Sequence, residues 1–166
     1  MKQIALLREL QKHAYRFFNH EKDEETGMHY DSSDSHSPQC IASAGMGLAC
    51  YPVAVENHFL TRGQAVQQAL KTLRFLYDSE QSESPDATGY RGFYYHFLDR
   101  KTARRTWKCE LSSIDTMILI AGVLVCQKYF YRDVASEREV RDLAQQLYER
   151  VDWKWMCNDK NIICMG

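Results

Sequence analysis

The sequence of 166 residues lacks the features that mark several specialised classes of protein. Its net charge is −1 and its basic residues form no stripe, which argues against nucleic acid as a partner, because phosphate binding requires an electropositive surface. No apolar run reaches the roughly 20 residues that cross a bilayer, so we expect no membrane span. The charged N-terminus also lacks the apolar stretch of a signal peptide, which predicts a cytoplasmic chain as given, or a periplasmic one if an upstream signal is missing.

Closely spaced cysteines are absent as well. The six cysteines occur singly, and no C-x-x-C pair indicates zinc. Most of them have apolar neighbours, as buried free thiols do, which favours a reducing compartment but leaves disulfides possible. The loop motif of Asp31, Asp34 and His36 could bind a metal, although Asx turns account for it more simply. We therefore predict no metal site and no cofactor.

Only three prolines interrupt the chain, and apolar residues recur at helical spacing over most of it. The pattern predicts helices at 3–19, 39–57, 62–78, 113–130 and 138–150. Capping boxes begin the third helix at Thr61 and the fifth at Ser136, and Pro52 should kink or break the second. Alternating residues at 93–98 and 105–107 predict two strands. We therefore expect an all-α domain with one small β-hairpin insertion.

The predicted helices differ in how much of their surface is apolar. Helices 39–57 and 113–130 are apolar nearly all round, as helices buried on most sides are, whereas the other three are amphipathic. This alternation suits a double-layered helical toroid, in which inner helices contact neighbours on every side and outer helices face water.

Two carboxylates, Glu110 and Asp115, lie near the start of helix 113–130, just after an aromatic segment. Glycoside hydrolysis uses such a pair, one as a proton donor with a raised pKa and the other as a base or nucleophile. Burial beside Trp107 would raise the pKa of a carboxyl group by desolvation. The alternatives are that Asp115 completes a capping box with Ser112, and that Glu110 is a solvated residue at a strand–helix junction.

Aromatic side chains crowd the same segment and could stack on sugar rings. They include Tyr95, His96 and Trp107. An alternating strand directs one half of its side chains into the core, so core packing is the alternative for each ring.

Six motifs occur in order across nearly the whole sequence. They are G-M-H-Y-D (27–31), A-S-A-G-M-G-L-A (42–49), F-L-T-R (59–62), G-Y-R-G-F-Y-Y-H-F-L-D (89–99), W-K-C-E-L-S-S-I-D-T (107–116) and L-Y-E-R-V-D-W-K-W-M (147–156). Their order resembles that of the glucoamylase-like family, which includes bacterial endo-β-1,2-glucanases and the glucoamylase-like domain of cyclic β-1,2-glucan synthases.

The resemblance implies an (α/α)6 barrel, of which residues 1–166 would form roughly the N-terminal half. It also implies action on β-linked glucans, with β-1,2-glucan as the best-known substrate. Glu110 and Asp115 would be pocket carboxylates, with Glu110 as the general acid. The residues that would contact sugar are Asp31, Tyr95, His96 and Trp107.

Two functional hypotheses follow from this resemblance. The chain is either a truncated glycoside hydrolase that pairs with a missing C-terminal half, or an inactive remnant that at most binds sugar or self-associates. Cleavage of glucan after the missing part is restored would distinguish the two.

Overall fold

The fold is taken from a computed structural model, which describes residues 2–165. These residues form five α-helices and five short strands. In chain order the elements are α1 (Lys2–His20), β1 (Gln39–Cys40), α2 (Ile41–Glu56), α3 (Arg62–Asp78), β2 (Gly89–Tyr90), β3 (Phe93–Tyr95), β4 (Phe97–Leu98), β5 (Leu111–Ser112), α4 (Ser113–Tyr129) and α5 (Ala135–Arg150). The prediction of a mostly helical domain with a small amount of β-structure is confirmed.

Two local predictions about helices α2 and α3 can be compared with the structure. The capping box of α3 is present, because Thr61 accepts a hydrogen bond from the backbone of Gln64 while the Gln64 side chain accepts one from the backbone of Thr61. The prediction for Pro52 was a kink or a break in the second helix. Pro52 lies inside α2, which continues from Ile41 to Glu56, so it does not break the helix.

The predicted capping box at Ser136 is wrong. Helix α5 begins at Ala135, its N-cap is Val134, and no side chain caps it. The two glutamates near this end are held elsewhere, because Glu137 pairs with Arg62 and Glu139 pairs with Arg74. Tertiary ion pairs between α3 and α5 therefore replace the local cap.

Helices α2 and α4 form the centre of the molecule. They pack most extensively on each other, and α3 and α5 lie against them and against each other as an outer layer. The central pair approaches closely at Gly45 and Gly122, since a Cβ atom added to Gly122 would lie 2.0 Å from the Gly45 carbonyl oxygen. This approach explains why two glycines are tolerated inside helices, where they otherwise destabilise.

The central helices are not buried on every side. Each leaves an apolar stripe exposed to solvent, with Met46 and Val53 on α2 and Ile114, Met117 and Val125 on α4. The prediction that helices 39–57 and 113–130 are buried on most sides is therefore confirmed only in part. Helix α1 also exposes Ile4, Leu6, Leu7 and Leu10.

The strands pair differently from the predicted hairpin. Strand β3 pairs with β2 and β5, and β4 pairs with β1, all antiparallel. The segment 105–107 contributes only a single bridge, between Leu98 and Arg105. These pairings tie the aromatic segment to the starts of both central helices, because β1 leads directly into α2 and β5 leads directly into α4.

No helix within residues 2–165 combines the length and the apolar character needed to cross a membrane. All six cysteines lie in this described part of the chain, and each is a free thiol.

Candidate active site

Strand pairing brings the two predicted carboxylates to one histidine. Tyr95 of β3 pairs with Leu111 of β5, and the backbone N–H of His96 donates to the carbonyl of Glu110 at 3.1 Å. Asp115 lies in the first turn of α4, which begins immediately after β5. The chain therefore places His96, Glu110 and Asp115 together at the N-terminal end of a central helix.

His96 contacts both carboxylates with the same ring nitrogen. Its Nδ1 lies 2.9 Å from Oε1 of Glu110 and 3.8 Å from Oδ2 of Asp115. The ring also stacks on Phe97, with centroids 3.7 Å apart. A positioned imidazole between two carboxylates can transfer or hold a proton, and the stacking restricts the orientation of the ring.

Glu110 is more exposed than the sequence analysis expected. Its side chain is 44% exposed, and its pKa is lowered by a hydrogen bond from its own backbone N–H and by contact with His96, against a smaller opposing effect of burial. The expectation that burial beside Trp107 raises the pKa of this carboxyl group is therefore wrong for Glu110. Glu110 carries a negative charge at neutral pH in this arrangement.

Asp115 takes part in capping α4, which is one of the two alternatives that the sequence left open. Ser112 is the N-cap of α4 and accepts a hydrogen bond from the backbone of Asp115 at 3.1 Å. The Ser112 hydroxyl also donates to Oδ2 of Asp115 at 2.5 Å. The same carboxylate faces His96, so local capping chemistry holds Asp115 in the cluster while leaving its charge available.

Trp107 is 68% exposed and is linked to this cluster through the ring of Phe97. Its ring meets the edge of Phe97, which in turn stacks on His96. Trp107 lines a cavity of about 350 Å³ together with Asp31, and a second cavity of about 340 Å³ together with Arg100. An exposed indole next to carboxylates is a surface on which a sugar ring can stack.

Tyr95 is less available as a sugar platform than Trp107. The guanidinium carbon of Arg105 lies over its ring, 4.2 Å from the centroid. Arg105 also donates to the carbonyls of Lys108 and Cys109, at 3.0 and 2.6 Å. It thereby supports the turn in which Trp107 and Lys108 have positive φ angles of 54° and 52°. The sequence analysis did not single out Arg105.

The predicted alternative for the loop motif at 31–36 is confirmed. Asp34 accepts a hydrogen bond from the backbone of His36 at 2.7 Å, which is an Asx turn. Asp31 lines the cavity beside Trp107, as do Asp34 and His36 of this turn.

The structure adds Cys40 to the cluster. Its thiol, a ring nitrogen of His96 and a carboxylate oxygen of Asp115 all lie within 4.8 Å of one another. Burial raises the pKa of the Cys40 thiol, and the charges of Asp31 and Asp115 add to this effect. The sequence carried no signal for this residue, because only the pairing of Cys40 with Phe97 places it beside His96.

Comparison with known proteins supports the resemblance. The chain matches no sequence profile of a known protein family. It is 22% identical over 156 residues to an exo β-1,2-glucooligosaccharide sophorohydrolase (non-reducing end) from Parabacteroides distasonis, which covers 90% of this chain and 20% of that protein. The chain thus spans about a fifth of the length of this curated relative.

Solved structures share the fold. A provisionally named glucoamylase from Bacteroides uniformis superposes with a TM-score of 0.84 at 23% identity, covering 96% of this chain and 39% of that one. A β-1,2-glucanase from Parabacteroides distasonis gives a TM-score of 0.83 at 22% identity, covering 94% and 22%. An endo-β-1,2-glucanase from Chitinophaga pinensis gives 0.79 at 19% identity, covering 94% and 38%. The fold is that of glucoamylase-like proteins, and the sequence resemblance to that family is confirmed over part of their length.

Proposed function

We propose that this chain supplies part of a site that binds and cleaves β-linked glucans, with β-1,2-glucan as the preferred substrate. The observation that carries the proposal is the contact of one histidine with two carboxylates, Glu110 and Asp115, beside the exposed ring of Trp107. Paired carboxylates next to an aromatic platform are the groups that glycoside hydrolysis requires. The β-1,2-glucan specificity of the named relatives supports the choice of substrate.

In this proposal Glu110 reacts as the ionised carboxylate. Its lowered pKa and exposure suit a base that removes a proton from water better than the general acid that the resemblance implies. Asp115 supplies the second negative charge, close to the place where an oxocarbenium-like transition state becomes positive. The proton that the leaving-group oxygen takes up would come from an acid in the remainder of the domain. His96 orients both groups, Trp107 stacks on a sugar ring, and Asp31 contacts sugar hydroxyls in the adjoining cavity.

We further propose that residues 1–166 correspond to part of a glucoamylase-like (α/α)6 catalytic domain. Central helices with outer helices packed against them support this arrangement, as do the apolar stripes of α2 and α4, which resemble surfaces that further helices cover. Cleavage would then require groups from the remainder of such a domain, on the same chain or on another.

A second candidate function is sugar binding without cleavage. It is favoured by the open cavity next to Trp107 and by the exposure of Glu110, since water reaches both. In that case the exposed apolar stripes would serve self-association.

The decisive experiment joins the chain to the helices that complete the domain, taken from a related β-1,2-glucanase. It incubates this completed domain with linear β-1,2-glucan and measures new reducing ends, with binding measured in parallel by calorimetry. Cleavage that disappears in Glu110→Gln and persists in Glu25→Gln, a glutamate outside the site, supports the hydrolase. Binding with no new reducing ends supports the second function. Neither cleavage nor binding would refute both functions for this chain.

A further inference from the structure

A buried thiol, an imidazole and a carboxylate converge where the two central helices begin. Cys40 is the N-cap residue of α2, Asp115 lies in the first turn of α4, and His96 lies between β3 and β4. One donor atom from each lies within 4.8 Å of the other two. Cys40 and Asp115 are only 3% and 7% exposed, so two of the three donor residues are buried.

Glu110 adjoins this group without belonging to it. Its Oε1 lies 2.9 Å from Nδ1 of His96, and its side chain is 44% exposed, so water reaches the open side of the three donors. In a tetrahedral zinc site, with donors about 2.0–2.3 Å from the metal, neighbouring donors are about 3.5 Å apart. Donors that lie up to 4.8 Å apart therefore need to approach by up to about 1.3 Å to match that geometry.

The surroundings of the cluster also suit a metal. The Ser112 hydroxyl donates to the carboxylate of Asp115, and the His96 ring is held by stacking on Phe97. Partners of this kind orient metal ligands and strengthen their binding. The negative charges of Asp31 and Glu110 lie near the same group, so a divalent cation would offset repulsion among them.

We propose that Cys40, His96 and Asp115 form a binding site for a divalent transition metal, with a water molecule as the fourth ligand. The mixture of thiolate, imidazole and carboxylate donors selects Zn²⁺ over Mg²⁺ or Ca²⁺, which prefer oxygen ligands alone. Binding converts the Cys40 thiol to a thiolate and releases its proton to solvent. Because the metal would take up His96 and Asp115, the metal-bound chain would not perform the proposed cleavage.

The proposal is tested by titrating the purified, reduced chain with Zn²⁺ and, separately, with Co²⁺. We expect one Zn²⁺ per chain by calorimetry, and a thiolate-to-cobalt charge-transfer absorbance together with the visible bands of tetrahedral Co²⁺. Cys40→Ser and His96→Gln should each weaken Zn²⁺ binding by more than about 100-fold, because losing a ligand costs more than losing a group that supports one. Cys40→Ser should remove the thiolate-to-cobalt charge-transfer band. His96→Gln should remove the visible bands of tetrahedral Co²⁺.

Matched controls are Cys164→Ser and His36→Gln, which remove an exposed thiol and an exposed imidazole outside the cluster. Both should bind Zn²⁺ as the unaltered chain does. Binding that survives in Cys40→Ser and His96→Gln, loss in the control variants, or no stoichiometric binding at all would overturn the proposal. Circular dichroism identifies any variant that does not fold, and Asp115→Asn then replaces it. The test uses no glucan, so its outcome is independent of the proposed hydrolase.

Discussion

The ion pair between Arg62 and Glu137 joins the beginnings of α3 and α5, and Arg62→Met removes it while keeping much of the side-chain volume. Nε and Nη2 of Arg62 donate to the two carboxylate oxygens of Glu137 at 2.7 and 2.8 Å. The two side chains are 14% and 4% exposed. Without Arg62 the Glu137 carboxylate stays buried with the Arg132 backbone N–H as a remaining donor. We expect a loss of about 3–5 kcal/mol in the free energy of unfolding.

The chain contains a matched control for this prediction. Arg74 and Glu139 join the same two helices with the same geometry, at 2.7 and 2.8 Å, but these side chains are 52% and 41% exposed. An exposed pair is screened by water and contributes at most about 1 kcal/mol. Arg74→Met should therefore leave stability nearly unchanged, although it removes the same chemical groups.

Urea unfolding followed by circular dichroism measures both variants against the unaltered chain. A large shift of the midpoint for Arg62→Met with little shift for Arg74→Met, at equal slopes, is the expected result. Equal losses in the two variants would refute the reasoning, because burial is the property in which the two pairs differ most.

The same pair predicts a dependence on pH. Hydrogen bonds from Arg62 hold the pKa of Glu137 below its ordinary value of 4.5. A carboxyl group with a lowered folded-state pKa contributes stability above its unfolded-state pKa, and this contribution is lost as the pH falls through the folded-state value. The stability difference between the unaltered chain and Arg62→Met should be largest near neutral pH and should shrink below pH 4.5.

Three further predictions concern the central helices and the candidate site. Gly122→Ala should lower the free energy of unfolding by about 3 kcal/mol or more, because the new Cβ would meet the rigid Gly45 carbonyl. Gly63→Ala is the control, since a Cβ at Gly63 would have no atom within 4 Å. In the same urea assay it should be neutral or stabilise by up to about 1 kcal/mol. Trp107→Ala should weaken β-1,2-glucan binding by about 2- to 10-fold in calorimetry, and unchanged affinity would exclude stacking on this ring. If Glu110 is the base, glucan cleavage should fall by at least about 100-fold in Glu110→Gln. On the acid side, cleavage by the completed domain should decline only below pH 4.5, and an acid-side decline well above pH 4.5 would contradict this role of Glu110.

The helices could be predicted because their signals are local. Apolar residues at helical spacing marked all five helices to within a few residues, and the capping box at Thr61 marked the start of α3. The box at Ser136 failed for a physical reason. Its glutamates pair with Arg62 and Arg74 instead. These arginines lie far away in the sequence, so a local pattern could not indicate the pairing.

The candidate site divides in the same way. Glu110, Asp115, His96 and Trp107 could be proposed from composition and motif order, and the structure brings them together. The lowered pKa of Glu110 could not be predicted, because it depends on the hydrogen bond from its own backbone N–H, on solvent exposure and on contact with His96. Cys40 was missed because its neighbour His96 lies far away in the sequence, and Arg105 was missed because its contacts are to backbone carbonyls, which no pattern of side chains marks.

The sequence by itself determined that this chain is mostly helical, that it resembles glucoamylase-like proteins, and that carboxylates follow an aromatic segment. Each of these follows from residues close together in the chain or from their order along it. Only the tertiary structure decided which groups meet. Short strands pair across long sequence separations, joining β1 to β4 and β3 to β5, and those pairings bring Cys40, His96, Glu110 and Asp115 into one cluster.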